Sequence, residues 1–177
     1  MVYLMKFHVD GACRGNGRRY AEGAAAACLY QRGGAYKYKV ERLPSGPYSE
    51  PATNQRAELT GVVIALEWAL ERYRELATNP YLRVEVRTDS RYAVGCMDEW
   101  CHRWRDNGWV NSRGNEVANR DLIERALDLQ DDIQDFGSVD YFWVPRDQNA
   151  DPDRHCNEEL DGAEVSDSDS DEDYWGF

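Results

Sequence analysis

Apolar residues at every second position open the chain. Tyr3, Met5, Phe7 and Val9 alternate with other residues, the mark of a strand with one buried face, and the pattern stops at about Asp10. Asn16-Gly17 signals a turn. Gly23 to Tyr30 is small and apolar, a second strand; Gln31-Arg32-Gly33-Gly34 closes a hairpin onto a third, Ala35 to Arg42. Pro44, Gly46, Pro47 and Pro51 make 43–52 a loop. Thr53 or Asn54 then caps a long helix reaching about Leu76, with Leu59, Val62, Val63, Leu66, Leu70 and Tyr73 as its apolar stripe. Leu82 to Thr88 is a fourth strand ending at Asp89. Ser90 to Met97 reads as a short helix that Gly95 kinks or ends, and 98–106 as another, with Trp100 and Trp104 one turn apart, broken by Asn107-Gly108. Asn119 to Leu129 is helical, with Leu122, Ile123, Ala126 and Leu127 inward, and Val139 to Val144 is a fifth strand. Asp151 as cap and Pro152 as first helical residue open the last helix. This order predicts an α/β fold, a mixed sheet flanked by helices.

Composition changes the picture in two places. The formal charge of −12 looks wrong for a nucleic-acid binder until it is located. Residues 147–177 hold 12 acids against Arg154, so 1–146 is near neutral and the net charge says little about any cleft there. The run Glu164 to Asp173 is acidic and of low complexity, which predicts a domain over 1–163 and a disordered tail over 164–177. Such a tail either solubilises the protein or competes with nucleic acid for an Arg-rich face, more strongly if Ser166, Ser168 or Ser170 is phosphorylated. The five cysteines are odd in number and form no Cys-x-x-Cys pair. Neither a disulfide framework nor a zinc site is supported, and a reducing compartment fits. No apolar run is long enough to span a membrane, and the amino terminus lacks a signal-peptide layout. A soluble intracellular protein, cytoplasmic or nuclear, is expected.

Four carboxylates then stand out: Asp10 and Asp89 at strand ends, Glu58 in the first turns of the long helix, Asp153 at the start of the last one. Singly, each has an ordinary explanation, turn stabilisation for Asp10, the helix dipole for Glu58, capping for Asp89 and Asp153. Together, fixed carboxylates at strand ends and helix starts are what hard divalent cations require. The three His residues (8, 102, 155) show no metal-ligand spacing, and no Ser/His/Asp set is evident.

The strings Asp-Gly-Ala-Cys-x-Gly-Asn-Gly, Thr-Asn-Gln-Arg-Ala-Glu-Leu and Thr-Asp-Ser-x-Tyr, with Asn107-Gly108-Trp109 and Glu116-Val117-x-Asn119, resemble type I ribonuclease H over about residues 3–163. The resemblance implies an RNase H-like fold, a mixed five-stranded sheet with its first three strands antiparallel. It implies two Mg2+ ions, with Mn2+ able to substitute, held by Asp10, Glu58, Asp89 and Asp153. The expected activity is endonucleolytic hydrolysis of the RNA strand of RNA-DNA hybrids, giving 5′-phosphomonoesters, by a monomer. Asn16, Asn54 and Gln55 are implied near the 2′-hydroxyl, with the backbone at Cys13 and Gly15. Trp100, Trp104, Ser112, Asn119 and Thr53 are implied along the DNA strand, the last two at a DNA phosphate, and Arg103 and Arg105 interleave with the tryptophans. A Trp pair four residues apart also reads simply as core.

The chain departs from the family pattern in places. Pro145-Arg146-Asp147-Gln148-Asn149 stands where many members carry a His; Arg146 stays protonated and cannot be a general base, which leaves phosphate binding or product release. A phosphate-pocket Arg expected just before Thr53 is replaced by Glu50-Pro51-Ala52. One register puts the fourth acid at Asn157 and another at Asp153; helix chemistry favours Asp153, with Asn157 one turn deeper. The competing readings are a catalytically weak hybrid-binding module of the same fold and an interaction protein working through its tail.

Overall fold

The computed structural model describes residues 1–168. Five strands form one sheet in the order β3-β2-β1-β4-β5, with β1 Val2–Arg14, β2 Glu22–Tyr30, β3 Tyr36–Arg42, β4 Tyr81–Thr88 and β5 Gly137–Trp143. The pairs β1–β2 and β2–β3 are antiparallel; β1–β4 and β4–β5 are parallel. This is the mixed sheet that the sequence predicts, with one difference of length. β1 does not stop at Asp10 but runs on to Arg14, because β2 pairs with it from Lys6 to Arg14. Its pairing with β4 ends at His8. Beyond that point β1 has a partner on one side only, and Asp10 sits at the notch.

Alternation along β1 sends Met5, Phe7 and Val9 into the main core, beneath α1 (Asn54–Arg74). α1 is buried on two sides, by the sheet and by α4 (Arg120–Gln134), so its apolar surface includes Ile64, Ala65 and Trp68 beyond the predicted stripe. The middle of β2 is four consecutive alanines, Ala24 to Ala27. Ala25 and Ala27 face the main core, while Ala24 and Ala26 face Cys156 and Leu160 of α5 (Ala150–Ser168). Small side chains on both faces let helices lie close on either side.

Two glycines set how close α1 comes. A Cβ at Gly11 would stand 2.2 Å from the Ala57 carbonyl carbon and 2.4 Å from the Glu58 nitrogen. One at Gly61 would stand 3.0 Å from the Asp10 carbonyl oxygen. The α1 backbone therefore lies directly on β1 at residues 10 and 11. Thr53 is the helix cap, its hydroxyl oxygen accepting from the Arg56 amide at 3.1 Å.

Further along, α2 (Arg91–Val94) does not end at Gly95. It passes through a wide π-helical turn, Gly95–Trp100, into α3 (Cys101–Asn107), and the Trp100 ring lies over Gly95, where a Cβ would meet it at 2.6 Å. α4 outruns the expected Leu129 because Leu129, Gln130 and Ile133 are buried too.

α5 starts two residues earlier than Pro152. Pro152 still falls in the first turn, where its missing N–H costs nothing. Asp151 is therefore helical and not the cap. Its carboxylate accepts from the Tyr30 hydroxyl and from Arg154 at 3.1 Å, and the Tyr30 bond leads in holding it below the usual carboxylate range. α5 is described to Ser168, inside the predicted tail, and 169–177 lie outside the described residues. No helix of the described chain is long and apolar enough to cross a membrane.

Replacing Gly11 by Ala should force the helix off the strand. Overpacking costs about 1–3 kcal/mol even where side chains can adjust, and here the obstacle is backbone. A cost of about 3 kcal/mol corresponds to a fall in Tm of roughly 6–12 °C. Gly162→Ala, at a helical site with open space around it, is the control and should leave Tm level or slightly higher in a thermal melt.

Candidate active site

Four elements deliver the four carboxylates. Asp10 lies in β1 at the notch, Glu58 one turn into α1 over Gly11, Asp89 just past β4, and Asp153 in the first turn of α5. Asp10 is only 6% exposed and accepts the Gly11 amide at 2.8 Å. Burial first, then the charge of Asp89, pushes its pKa up to about 8, with Asp153 and Glu58 adding to the rise. The carboxyl of Glu58 is also raised, by burial and by Asp89, against a 2.6 Å hydrogen bond donated by the Ser90 hydroxyl. Asp10 thus feels the other three acids, which puts all four in one electrostatic neighbourhood.

Among the described residues, no three acidic, thiol or imidazole side chains are arranged to hold an ion as they stand. What fits a hard divalent cation is the chemistry of the donors. They are carboxylate oxygens, Asp10 is buried, and mutual repulsion raises its affinity for positive charge. Among the described residues, the cation paired with one of these acids is Arg146, 3.8 Å from Asp153 on a side chain that is 81% exposed, too distant and too solvated to neutralise the group.

Uncharged groups hold these acids in place, and sequence reasoning missed two of them. Asn149 is buried (1% exposed) and donates to the Val9 carbonyl at 2.8 Å and to Asp89 Oδ1 at 3.5 Å. Its Oδ1 lies 3.2 Å from His8 Nδ1. Burial is the leading cause that lowers the His8 pKa, so the ring is neutral at pH 7 and its Nδ1–H is the donor. One amide thus joins β1, Asp89 and the start of α5. Ser90 caps α2 through the Ala93 amide and donates to Glu58 with the same hydroxyl. In the sequence Ser90 looked like an ordinary helix-start residue and Asn149 like a loop residue, which hid their second roles. Asn157, one turn below Asp153, donates to its carbonyl at 2.9 Å and to its carboxylate at 3.3 Å.

The residues assigned to the hybrid fall into two groups. Asn16 and Asn54 are adjacent, the Asn54 amide donating to Asn16 Oδ1 at 2.8 Å, with Gln55 exposed beside them. Gly15 turns the chain with φ +70°, and Cys13 is half-buried at the end of β1, its thiol pushed up by burial. In the second group Asn119, at φ +60°, donates to the Tyr92 hydroxyl at 2.9 Å and accepts from Arg56 at 3.4 Å. A guanidinium therefore does stand beside Thr53 and Asn119. It comes from three residues after Thr53, not from before it, and is held by Asp121 at 2.9 and 2.7 Å and by Glu50 at 3.4 Å.

The tryptophans are more structural than a bare platform. Tyr92, Trp100, Trp104 and Trp109 form a file with ring centroids 6.3, 5.9 and 6.2 Å apart, and Trp100 and Trp104 pack on the core while half-exposed. Arg105 is bound to Asp131 at 2.9 Å, so of the two interleaved arginines only Arg103 has no ion pair among the described residues. Ser112 is exposed in the loop closed by the Val110–Glu116 bridge.

Comparison with known proteins follows this geometry. The RNase H family profile matches residues 4–161. The Ribonuclease H of Syntrophotalea carbinolica is 36% identical over 141 residues, 80% of this chain and 78% of that protein. The Ribonuclease H of Dinoroseobacter shibae is 36% identical over 137 residues, 77% of this chain and 76% of that protein. Among solved structures, LC9-RNase H1, described as a type 1 RNase H with the type 2 active-site motif, aligns with a TM-score of 0.66 and 26% identity, covering 90% of this chain and 72% of that one. Four acids gathered at the notch of a mixed sheet, in a chain matched from Leu4 to Asp161, belong to the RNase H family, and the protein is a ribonuclease H.

Proposed function

We propose that this ribonuclease H cuts the RNA strand of RNA-DNA hybrids endonucleolytically through a site built for two Mg2+ ions, with Mn2+ able to substitute, and leaves 5′-phosphomonoesters. Family and fold support hybrid nuclease activity. The observation that carries the site assignment is the buried carboxylate of Asp10 at the notch, with α1 bringing Glu58 over Gly11 and with Asp89 and Asp153 close enough to act on it. When bound, the metal pair acidifies the attacking water and stabilises charge on the leaving 3′-oxygen.

The chain's own groups do the positioning. Ser90 orients Glu58, Asn149 orients Asp89 and Asn157 orients Asp153, so three of the four acids are held by neutral donors before substrate arrives. Asn16, Asn54 and Gln55 supply donors and acceptors at the 2′-hydroxyl, the group that tells RNA from DNA. Thr53, Arg56 and Asn119 receive a phosphate of the DNA strand. Arg146, exposed at the rim, meets an RNA phosphate or the departing product. The catalytic unit in this reading is 1–163, with the acidic segment 164–177 outside it.

Asp10→Asn should abolish cleavage of a labelled hybrid and raise stability, with a defined pH dependence. In the folded chain Asp10 keeps its proton up to about pH 8, whereas an unfolded Asp loses it near pH 4. Between those values the folded state binds the extra proton, so ion-free stability falls as pH rises and this contribution is gone above about pH 8. The amide has no proton to lose. Its Tm advantage over the parent should be nil near pH 4 and grow toward pH 8, measured by melting in chelator. A flat difference would contradict the placement of Asp10.

Asp153→Asn should lower Mg2+-dependent cleavage by orders of magnitude, while Asn157→Ala should retain most of it. The reverse ranking in steady-state assays would move the fourth ligand to residue 157.

A duplex whose scissile ribose is 2′-deoxy should resist cutting, because Asn16, Asn54 and Gln55 lose their partner. Equal rates on plain duplex DNA would point to a general nuclease on this fold.

A further inference from the structure

The turn that carries Asn16 continues into a part of the surface that the catalytic reading leaves unused. After Gly15, the chain reads Asn16-Gly17-Arg18-Arg19-Tyr20-Ala21 before β2 begins. The turn is well built, with Arg18 N donating to the Gly15 carbonyl at 2.8 Å and Ala21 N to the Arg18 carbonyl at 3.0 Å. It is tied to the proline-rich 43–53 segment by Gly17 N to the Ala52 carbonyl, 3.1 Å. Between the two segments runs an open groove of about 790 Å³, lined by Arg19, Tyr20, Pro44, Pro47 and Ala52 among others.

Three features of this groove point to one occupant. Tyr20 is 86% exposed and Tyr48, at its rim between Pro47 and Ser49, is 101% exposed. Neither ring stacks on another aromatic among the described residues, and large exposed rings on the two segments that flank the groove are uncovered contact area. Arg18 and Arg19 are exposed and have no ion pair among the described residues. Two acids also line the groove, and each has a basic neighbour of its own, Glu50 with Arg56 at 3.4 Å and Glu22 with Arg42 at 3.9 Å. Free cations beside unstacked rings match a polyanion whose bases are open for stacking. Bases inside a duplex are already stacked, so the match is to a single strand.

We propose that this groove binds the unpaired continuation of the RNA strand where it leaves the hybrid, with Tyr20 and Tyr48 stacking bases and Arg18 and Arg19 taking phosphates. The inference rests on the hybrid reading given above. The RNA strand is the one assigned because the same turn carries Asn16, the residue placed at the 2′-hydroxyl, whereas Thr53, Arg56 and Asn119 serve the DNA strand. Pro44, Pro47 and Pro51 fix the backbone of the far wall, so little ordering is needed on binding. The preferred substrate class is then a hybrid with a single-stranded RNA flank.

The test is affinity by fluorescence anisotropy in chelator, so that nothing is cut. Hybrids of equal paired length are compared: blunt, with a 5′ RNA overhang, with a 3′ RNA overhang, and with DNA overhangs. One RNA overhang should bind about tenfold tighter than the blunt duplex, within the range of base–aromatic stacking. Tyr20→Ala/Tyr48→Ala should remove that gain and leave blunt affinity unchanged. Arg18→Ala/Arg19→Ala should lower the salt slope of the gain by about 1.4, at about 0.7 per phosphate contact on a single strand. Equal affinity for blunt and overhung hybrids, equal gains from RNA and DNA overhangs or from both RNA ends, or a gain that survives in the tyrosine variant would each overturn the proposal. Cleavage of the blunt hybrid by the parent, assayed in parallel with Mg2+, reports on the catalytic reading separately.

Discussion

The site depends on a contact between two backbones. α1 can carry Glu58 to Asp10 only because nothing but hydrogen stands on Gly11 and Gly61, where strand and helix meet. A methyl at either place would have to occupy backbone atoms or press on them, and a helix shifted by even an ångström would move Glu58 away from the notch. The notch follows from the sheet. β1 leaves β4 at His8 but stays with β2 to Arg14, so Asp10 is rigid on one side and open on the other. β2 allows this because its alanines let α1 and α5 come down on opposite faces. Helix spacing, strand register and acid placement are thus one constraint.

Four acids in one neighbourhood repel, and among the described residues the fold sets against them only the exposed Arg146, 3.8 Å from Asp153. It answers with neutral donors, the Ser90 hydroxyl on Glu58, the Asn149 amide on Asp89 and the Asn157 amide on Asp153. A neutral donor fixes the direction of a carboxylate without cancelling its charge. A buried cation would have neutralised the charge that the proposed metal site uses. The cost falls on Asp10, which is the most buried and carries the largest strain of charge, visible as a pKa pushed up to about 8.

Much of this was legible in the chain. Alternation at Tyr3, Met5, Phe7 and Val9 located β1, and the Thr53 cap placed α1 as it stands. The same local signals misplaced ends. The run of β1 past Asp10 is set by its partner β2, and pairing is not written in one strand alone. Asp151-Pro152 looked like cap and first turn, yet Tyr30, which is 121 residues away in sequence, claims Asp151 and the helix begins before it. Asn149 and Ser90 were hidden for a related reason. A polar residue in a loop or at a helix start has a sufficient local explanation, so its second, tertiary partner leaves no separate mark in the sequence.

Arg56 and Arg146 show why a cation count misleads. Arg56 is gripped by Asp121 with two bonds and approached by Glu50, and the Asp121 bond leads in raising its pKa. Those acids do not disable it. A guanidinium has five donors in one plane, so a bidentate partner still leaves N–H groups free, and one of them already reaches Asn119. Asp121 belongs to α4, so the bridge also locks α4 to α1 and holds the guanidinium beside Asn119. Arg146 is the opposite case, an exposed side chain in a short turn with one distant partner. The first is held in place by the fold and the second is left to solvent. Under the proposed reading, only the first can select a register along the hybrid, because selection requires that the receiving group not move to meet what it receives.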